Sequence, residues 1–240
     1  MKQGKLSQLC IALWSILAQH CPDDLRNVTE ILVINEFGPG DPCDYRQTIE
    51  AIHPSIEFIQ KGPDAAGQAR TLNMILGRIN SHDYWMHWEE SWQCTRPFIA
   101  EAIDVMRSTN LTQVQVTPDW LDIGLDRIVH SETATGTRYA QILPHPRTAA
   151  LVRGASTEDF DRLVGEAGMG AVWPLFSLRP GINRVAFYRE LPPFDEDPRY
   201  WPVRFEWKYG VHWLERGATK AVLVPYAAQR QPHHVSTYRQ

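Results

Sequence analysis

No stretch of the sequence reaches the roughly 18 consecutive apolar residues that a membrane-crossing helix needs. The chain as given therefore offers no membrane span. Its opening, MKQGKLSQLCIALWSILAQHCPDD, is amphipathic rather than a secretory leader, so a soluble, cytoplasmic protein is the expectation. Cysteine is scarce: Cys10, Cys21, Cys43 and Cys94 form no CxxC pair and no Cys/His ligand spacing, which argues for free thiols and against a zinc site. Positive charge is not in excess either. With 24 basic and 28 acidic residues the formal charge is -4, which removes the electrostatic footprint of a nucleic-acid binder and any polybasic membrane patch. An anionic ligand would have to be met locally. Internal repeats and low-complexity tracts are missing too. Two Asn-x-Thr triplets, Asn27-Val28-Thr29 and Asn110-Leu111-Thr112, carry meaning only in a secretory compartment.

Aromatic residues are abundant. Nine Trp, eight Tyr and eight Phe in 240 residues, within a 43% hydrophobic composition, suffice for a sizeable core in one large α/β domain or two small ones. The stretch YWMHWEESW, Tyr84 to Trp92, concentrates the puzzle, because it sets the adjacent acids Glu89 and Glu90 among four rings. Either the acids are solvated beyond the end of an edge strand, or a buried strand delivers them into a cleft at the rim of a sheet.

The flanking pattern favours a cleft. Residues 5–19 place Leu6, Leu9, Ile11, Leu13, Ile16 and Leu17 largely along one helical face. Ile31 to Ile34 is a short apolar run of the kind found in buried parallel strands, and Asn35-Glu36 with Gly38-Pro39-Gly40 ends it in a turn. Residues 44–52 read as a helix, IEFIQ (56–60) as a second strand, QARTLNMILGRI from Gln68 as a helix and DYWMHW as a third strand. This alternation predicts a doubly wound α/β sheet, whose ligands bind beyond the carboxyl ends of the strands. Asn35-Glu36 and Glu89-Glu90-Ser91 both fall there. Farther on, 96–106 reads as a helix, TQVQVT (112–117) as a half-exposed strand and 118–150 as loops and short strands. A helix over TEDFDRLVGEAG precedes VWPLFSLRPGINRV, which reads as a strand breaking at Arg179-Pro180-Gly181. A helix from about Arg204, capped by Gly217, a short strand KAVLVPY and a polar tail follow.

Taken in order, six segments resemble the family 2 style of GT-A fold nucleotide-sugar glycosyltransferases. Val33-Ile34-Asn35-Glu36-Phe37-Gly38 is similar to the family's VDDGS, and Gly67, Ala69 and Asn73 to its GxAxxxN. His87-Trp88-Glu89-Glu90-Ser91-Trp92 aligns with hLEDDW, and FSLRPGINR with the acceptor-side FSLNPxxxR. FEWKYGVHWLERG looks like the acid-bearing helix and HHVSTY like the late HxGxxSTY element. The resemblance, spread over about residues 5 to 238, implies a three-layer α/β sandwich around a mostly parallel sheet. It implies one domain over 1–240, with a nucleotide-binding half (1–110) and an acceptor-binding half (111–240). It further implies a nucleotide-diphosphate sugar as donor and a glycan or other hydroxyl compound as acceptor.

By the same resemblance Glu206 is the general base, which must sit opposite the leaving group to take the acceptor's proton. Asn35 and Glu36 contact the nucleoside, Arg70 and Asn73 border its phosphates or ribose, and Glu90 frames the donor cleft. Glu89, the Ser91 position and His233 or His234 hold Mn or Mg, which would stabilise the departing diphosphate. The sequence departs from the family twice. Ser91 stands where the family has its last Asp, and a hydroxyl is a poor ligand for a hard cation. The chain also begins inside the family's first helix, without the usual first strand. A non-catalytic domain of this build that binds a glycan or a protein is the alternative. A nucleotidyltransferase would require a Gly- and Lys-rich phosphate loop that the sequence does not carry.

Overall fold

The computed structural model describes residues 3–26, 28–36, 45–118, 127–200 and 202–232. Helices α1 (Gln3–Gln19) and α2 (Pro22–Leu25) open the chain, then β1 (Ile31–Asn35), α3 (Arg46–Glu50), β2 (Ile56–Gln60), α4 (Gln68–Arg78), β3 (Tyr84–His87), β4 (Trp92–Cys94) and α5 (Ile99–Ser108). There follow β5 (Gln113–Gln115), β6 (Ile128–Glu132), β7 (Arg138–Ile142), α6 (Pro146–Val152), α7 (Phe160–Ala167), α8 (Met169–Val172) and β8 (Gly181–Arg184). The last elements are α9 (Val185–Tyr188), α10 (Arg204–Glu215), β9 (Lys220–Leu223) and β10 (Ala228–Arg230). No helix among the described residues is long and apolar enough to cross a membrane.

The class is α/β, as expected, but the sheet is not mostly parallel. β1 and β2 form a parallel pair of their own. The principal sheet runs β3-β8-β5-β9-β7-β6, and only β5 and β9 are parallel neighbours in it. The strand-helix alternation that predicted parallel pairing holds only up to β3. Beyond it β8 inserts antiparallel between β3 and β5, and the β6–β7 hairpin closes the other edge, a short-turn pairing that needs no crossover helix.

Four sequence expectations change in detail. Ile11 points outward, 43% exposed beside Trp14. Gln113 to Gln115 is buried on both faces rather than half-exposed, so its alternation sorts two interiors instead of core from solvent. Residues 173–180 form no strand; β8 begins only at Gly181, after the left-handed Leu175 (φ 67). The supposed polar tail starts with β10, which pairs antiparallel with β4. Gly38-Pro39-Gly40, Cys43, His233, His234 and the STY triplet lie outside the described residues.

Both faces of the principal sheet are covered. One carries Val114, Ile182 and Ala221 against Ala102, Val105 and Met106 of α5. The other carries Trp85, Ile142 and Val222 against Leu72 of α4 and Phe205, Tyr209 and Trp213 of α10. Fully buried aromatics of this size each contribute about 3–5 kcal/mol relative to Ala. Helix α10 approaches residues 174–176 so closely that a Cβ on Gly210 would lie 2.5 Å from Pro174 Cγ. Gly217, at φ 74, closes the helix as expected. The segment after β10 meets α1 and the turn after β3, since Gln231 Nε2 donates to the carbonyls of Gln8 (3.0 Å) and Glu90 (2.8 Å), while Gln231 N donates to that of Ser91 (2.9 Å).

Candidate functional site

Three elements bring acids toward one region: the carboxyl end of β1, the turn after β3 and the first turn of α10. At the first, Asn35 is buried and its Nδ2 donates to Gln60 Oε1 on β2 at 2.9 Å, so the predicted nucleoside contact is spent on the neighbouring strand. Glu36 is held on both oxygens. Thr71 Oγ1 and Lys61 Nζ (3.5 Å) donate to Oε1, and the Gly67 amide donates to Oε2 at 3.4 Å. Lys61 is only 5% exposed, and its ammonium also donates to Thr71 Oγ1 and the Gly67 carbonyl. Such a buried cation needs a carboxylate nearby.

The turn after β3 answers the question of acids among rings. Trp85 and Trp92 point into the two cores on opposite faces of the sheet, and Trp88 stacks on Phe98 at 5.7 Å. The strand's apolar residues are thereby used up before the chain reaches Glu89 and Glu90, both partly buried. Glu89 Oε1 accepts from Gln68 Nε2 at 3.2 Å and stands 3.8 Å from His87 Nε2. Consecutive residues at the start of α4 thus reach two acids, Gly67 holding Glu36 and Gln68 holding Glu89. Both carboxylates therefore lie beside the start of α4.

A cavity of about 320 Å³ opens here. Glu36 and the Gly67–Arg70 turn form one wall, and Asp195, Glu196 and Asp197 the other. Arg70 and Asn73, expected beside phosphates or ribose, bind this acidic loop. Arg70 Nε donates to Glu196 Oε2 at 3.0 Å, and Asn73 Nδ2 to Glu196 Oε1 (2.8 Å) and the Phe194 carbonyl (2.9 Å). Asn73 Oδ1 accepts from the Phe194 amide at 2.7 Å. Those contacts hold the Glu196 carboxyl below its ordinary range, Asn73 having the larger effect.

Glu206 projects from the first turn of α10, where its Oε1 accepts from the Leu178 amide at 3.0 Å. It keeps some solvent contact yet sits deep among protein atoms. That desolvation pushes its pKa up to about 7, opposed by the Leu178 N–H, raised further by Glu89 and lowered by Arg179 and His87. Lys220, 1% exposed on β9, donates to the Leu175 carbonyl at 3.1 Å. Burial drives its amine down to about 7, with Arg179 lowering it and Glu206 opposing. Sequence reading missed Lys61, His87, Arg179 and Lys220. Only His87 and Arg179 carried a local signal, each lying inside a motif that had already been singled out.

The expected metal ligands do not assemble among the described residues. No group of three or more His, Cys, Asp or Glu there is placed to hold an ion. Ser91 is 3% exposed and engaged through its carbonyl. Glu89 and His87 form a pair without a third ligand, so the described residues do not fit a hard-cation site by themselves. No protein-family model matches the chain, and no curated protein matches it at significant similarity.

Proposed function

We propose that the chain is a GT-A-like glycosyltransferase that moves a sugar from a nucleotide-diphosphate donor to a hydroxyl acceptor, with inversion. The reading rests above all on Glu206, an enclosed carboxylate poised near neutrality and set beside Glu89, His87 and Arg179. A base near the working pH is half ionised and still strong enough to accept a proton. In the reaction the acceptor O–H gives its proton to Glu206, and its oxygen bonds to the anomeric carbon. The bond from that carbon to the phosphate oxygen breaks, and its electron pair leaves with the diphosphate. Arg179 supplies positive charge to this neighbourhood. The cavity beside Glu36 is of a size to take the nucleoside.

Glu206→Gln keeps the shape and removes the base. Transfer should fall by about a hundredfold or more while UDP or GDP still raises the Tm. Full turnover in the variant would exclude Glu206 as base. A second reading, a non-catalytic domain of the same build, draws support from one observation: Asn35, Arg70 and Asn73 all spend their side chains on protein partners. If neither nucleotide shifts the Tm, with or without Mn, that reading replaces the first.

A further inference from the structure

Buried carbonyls in an irregular segment must find donors, and the stretch that α10 packs against finds them in side chains. Three consecutive carbonyls accept in this way: Leu175 from Lys220 Nζ at 3.1 Å, Phe176 from Trp173 Nε1 at 2.9 Å and Ser177 from Gln113 Nε2 at 2.8 Å. The third differs from the other two. The Ser177 carbonyl shares its peptide group with the Leu178 N–H, the amide that donates to Glu206 Oε1 at 3.0 Å. A trans peptide points its C=O and N–H in opposite directions, so this one planar unit is held by Gln113 on one side and by Glu206 on the other.

Gln113 is only 2% exposed, on β5 opposite Asn183 of β8. Its amide nitrogen carries two hydrogens, and both are used. The second goes to Asn183 Oδ1 at 2.9 Å, an atom that also accepts from the Tyr188 hydroxyl at 2.7 Å. Two acceptors fix the orientation of the amide, since turning it over would set oxygen against oxygen at both. Gln113 Oε1 is thereby left enclosed without a partner among the described residues. An unpaired buried oxygen costs stability and calls for a reason at that place.

We propose that Gln113 is a positioning residue for Glu206, acting through the Ser177–Leu178 peptide. Its amide holds the plane of that peptide so that the Leu178 N–H aims at the carboxylate. By drawing on the carbonyl oxygen it also polarises the N–H at the other end, as linked hydrogen bonds do. A stronger donor favours the ionised carboxylate. Asn183 and Tyr188 fix Gln113 in turn. The charged groups that face Glu206 come from elsewhere, namely Glu89 after β3, His87 on β3, Arg179 next to Leu178 and Lys220 on β9. Gln113 is neutral, so its replacement leaves all four in place. The role of Glu206 as base rests on the transferase reading, whereas the influence of Gln113 on its carboxyl can be read without turnover.

The test is a carbon NMR titration of the Glu206 carboxyl, in protein whose glutamates are labelled at the side-chain carboxyl carbon, with Glu206→Gln identifying the resonance. Gln113→Leu should move the midpoint upward from about 7 by about half a pH unit or more, the effect of weakening one hydrogen bond. Gln113→Asn keeps the amide but withdraws it by one methylene, and should move the midpoint less. Ala102→Gly in α5 loosens the core on the opposite face of the sheet and should lower the Tm with the midpoint in place. An unmoved midpoint in Gln113→Leu overturns the proposal, and so does an equal movement in Ala102→Gly. Should Gln113→Leu not fold, the Gln113→Asn titration decides in the same way. In transfer assays the rate–pH curve of Gln113→Leu should shift by the same amount at constant KM for donor. A shifted titration with an unshifted rate curve, or with no transfer in the wild type, supports the positioning by Gln113 and removes Glu206 as base.

Discussion

Glu36 and Glu206 both serve the same side of the molecule, yet their surroundings are opposite in kind. Glu36 is surrounded by donors: a hydroxyl, an ammonium and a backbone amide share its two oxygens. Glu206 has one amide, from Leu178, and otherwise faces desolvation and the neighbouring Glu89. The donors around Glu36 fix the position of its oxygens, whereas enclosure with few donors favours the proton on Glu206. The pair shows how one residue type is made into a fixed wall at one strand end and a group with a raised pKa at a helix start.

The sharpest way to break this contrast is to remove the ammonium that supports Glu36. Lys61→Met leaves a partly exposed carboxylate without its cation, and should cost about 2–3 kcal/mol in denaturant unfolding. A loss below about 1 kcal/mol would mean that Thr71 and Gly67 suffice.

Next in size is the pH dependence of stability. Glu206 has its folded pKa raised to about 7 from 4.5, so the folded state binds more protons than the unfolded one between those values. Stability from this group therefore falls as pH rises from 4.5 to about 7, by a few kcal/mol at most. Lys220 has its folded pKa lowered to about 7 from 10.5, so the unfolded state holds the extra proton between 7 and 10.5, and stability from this group rises across that window. Their sum is a minimum near pH 7. Glu206→Gln should abolish the acid limb and keep the alkaline one, as read by the Tm across pH; an unchanged acid limb would assign it to other groups. In activity, the same Glu206 predicts a rate that rises with pH and levels off above about 7.

The smallest effect is expected on the acidic wall. Asn73→Ala frees the loop of Phe194 to Asp197 and should cost about 1–2 kcal/mol. On the transferase reading, because the loop borders the cavity and not Glu206, KM for donor should rise while kcat stays. A fall in kcat with constant KM would move Asn73 into the chemistry.

Much of this was legible in the chain. Strand β2 is bounded as its apolar run predicts, the acids that follow β1 and β3 are both reached from the start of α4, and α10 starts and stops at its sequence signals. What escaped reading was non-local. The β8 insertion joins Gly181 to His87 and to Gln115, residues whose separation in sequence leaves no periodic trace. Nothing near Arg70 and Asn73 in the sequence marks Glu196 as their partner. Lys61 follows a strand like any surface lysine, and only the fold reveals that Glu36 and Thr71 close over it.

The meeting of Gln231 with Glu90 and Ser91 has a temporal side. During synthesis the sheet strands up to β9 leave the ribosome before residue 231 does, so the carbonyls of the acid-bearing turn wait for their last donor until every strand of the principal sheet is free. Proteolytic clipping after β9 would likewise leave a packed interior beside an unfinished turn, making that junction the step at which a folded body becomes a competent one.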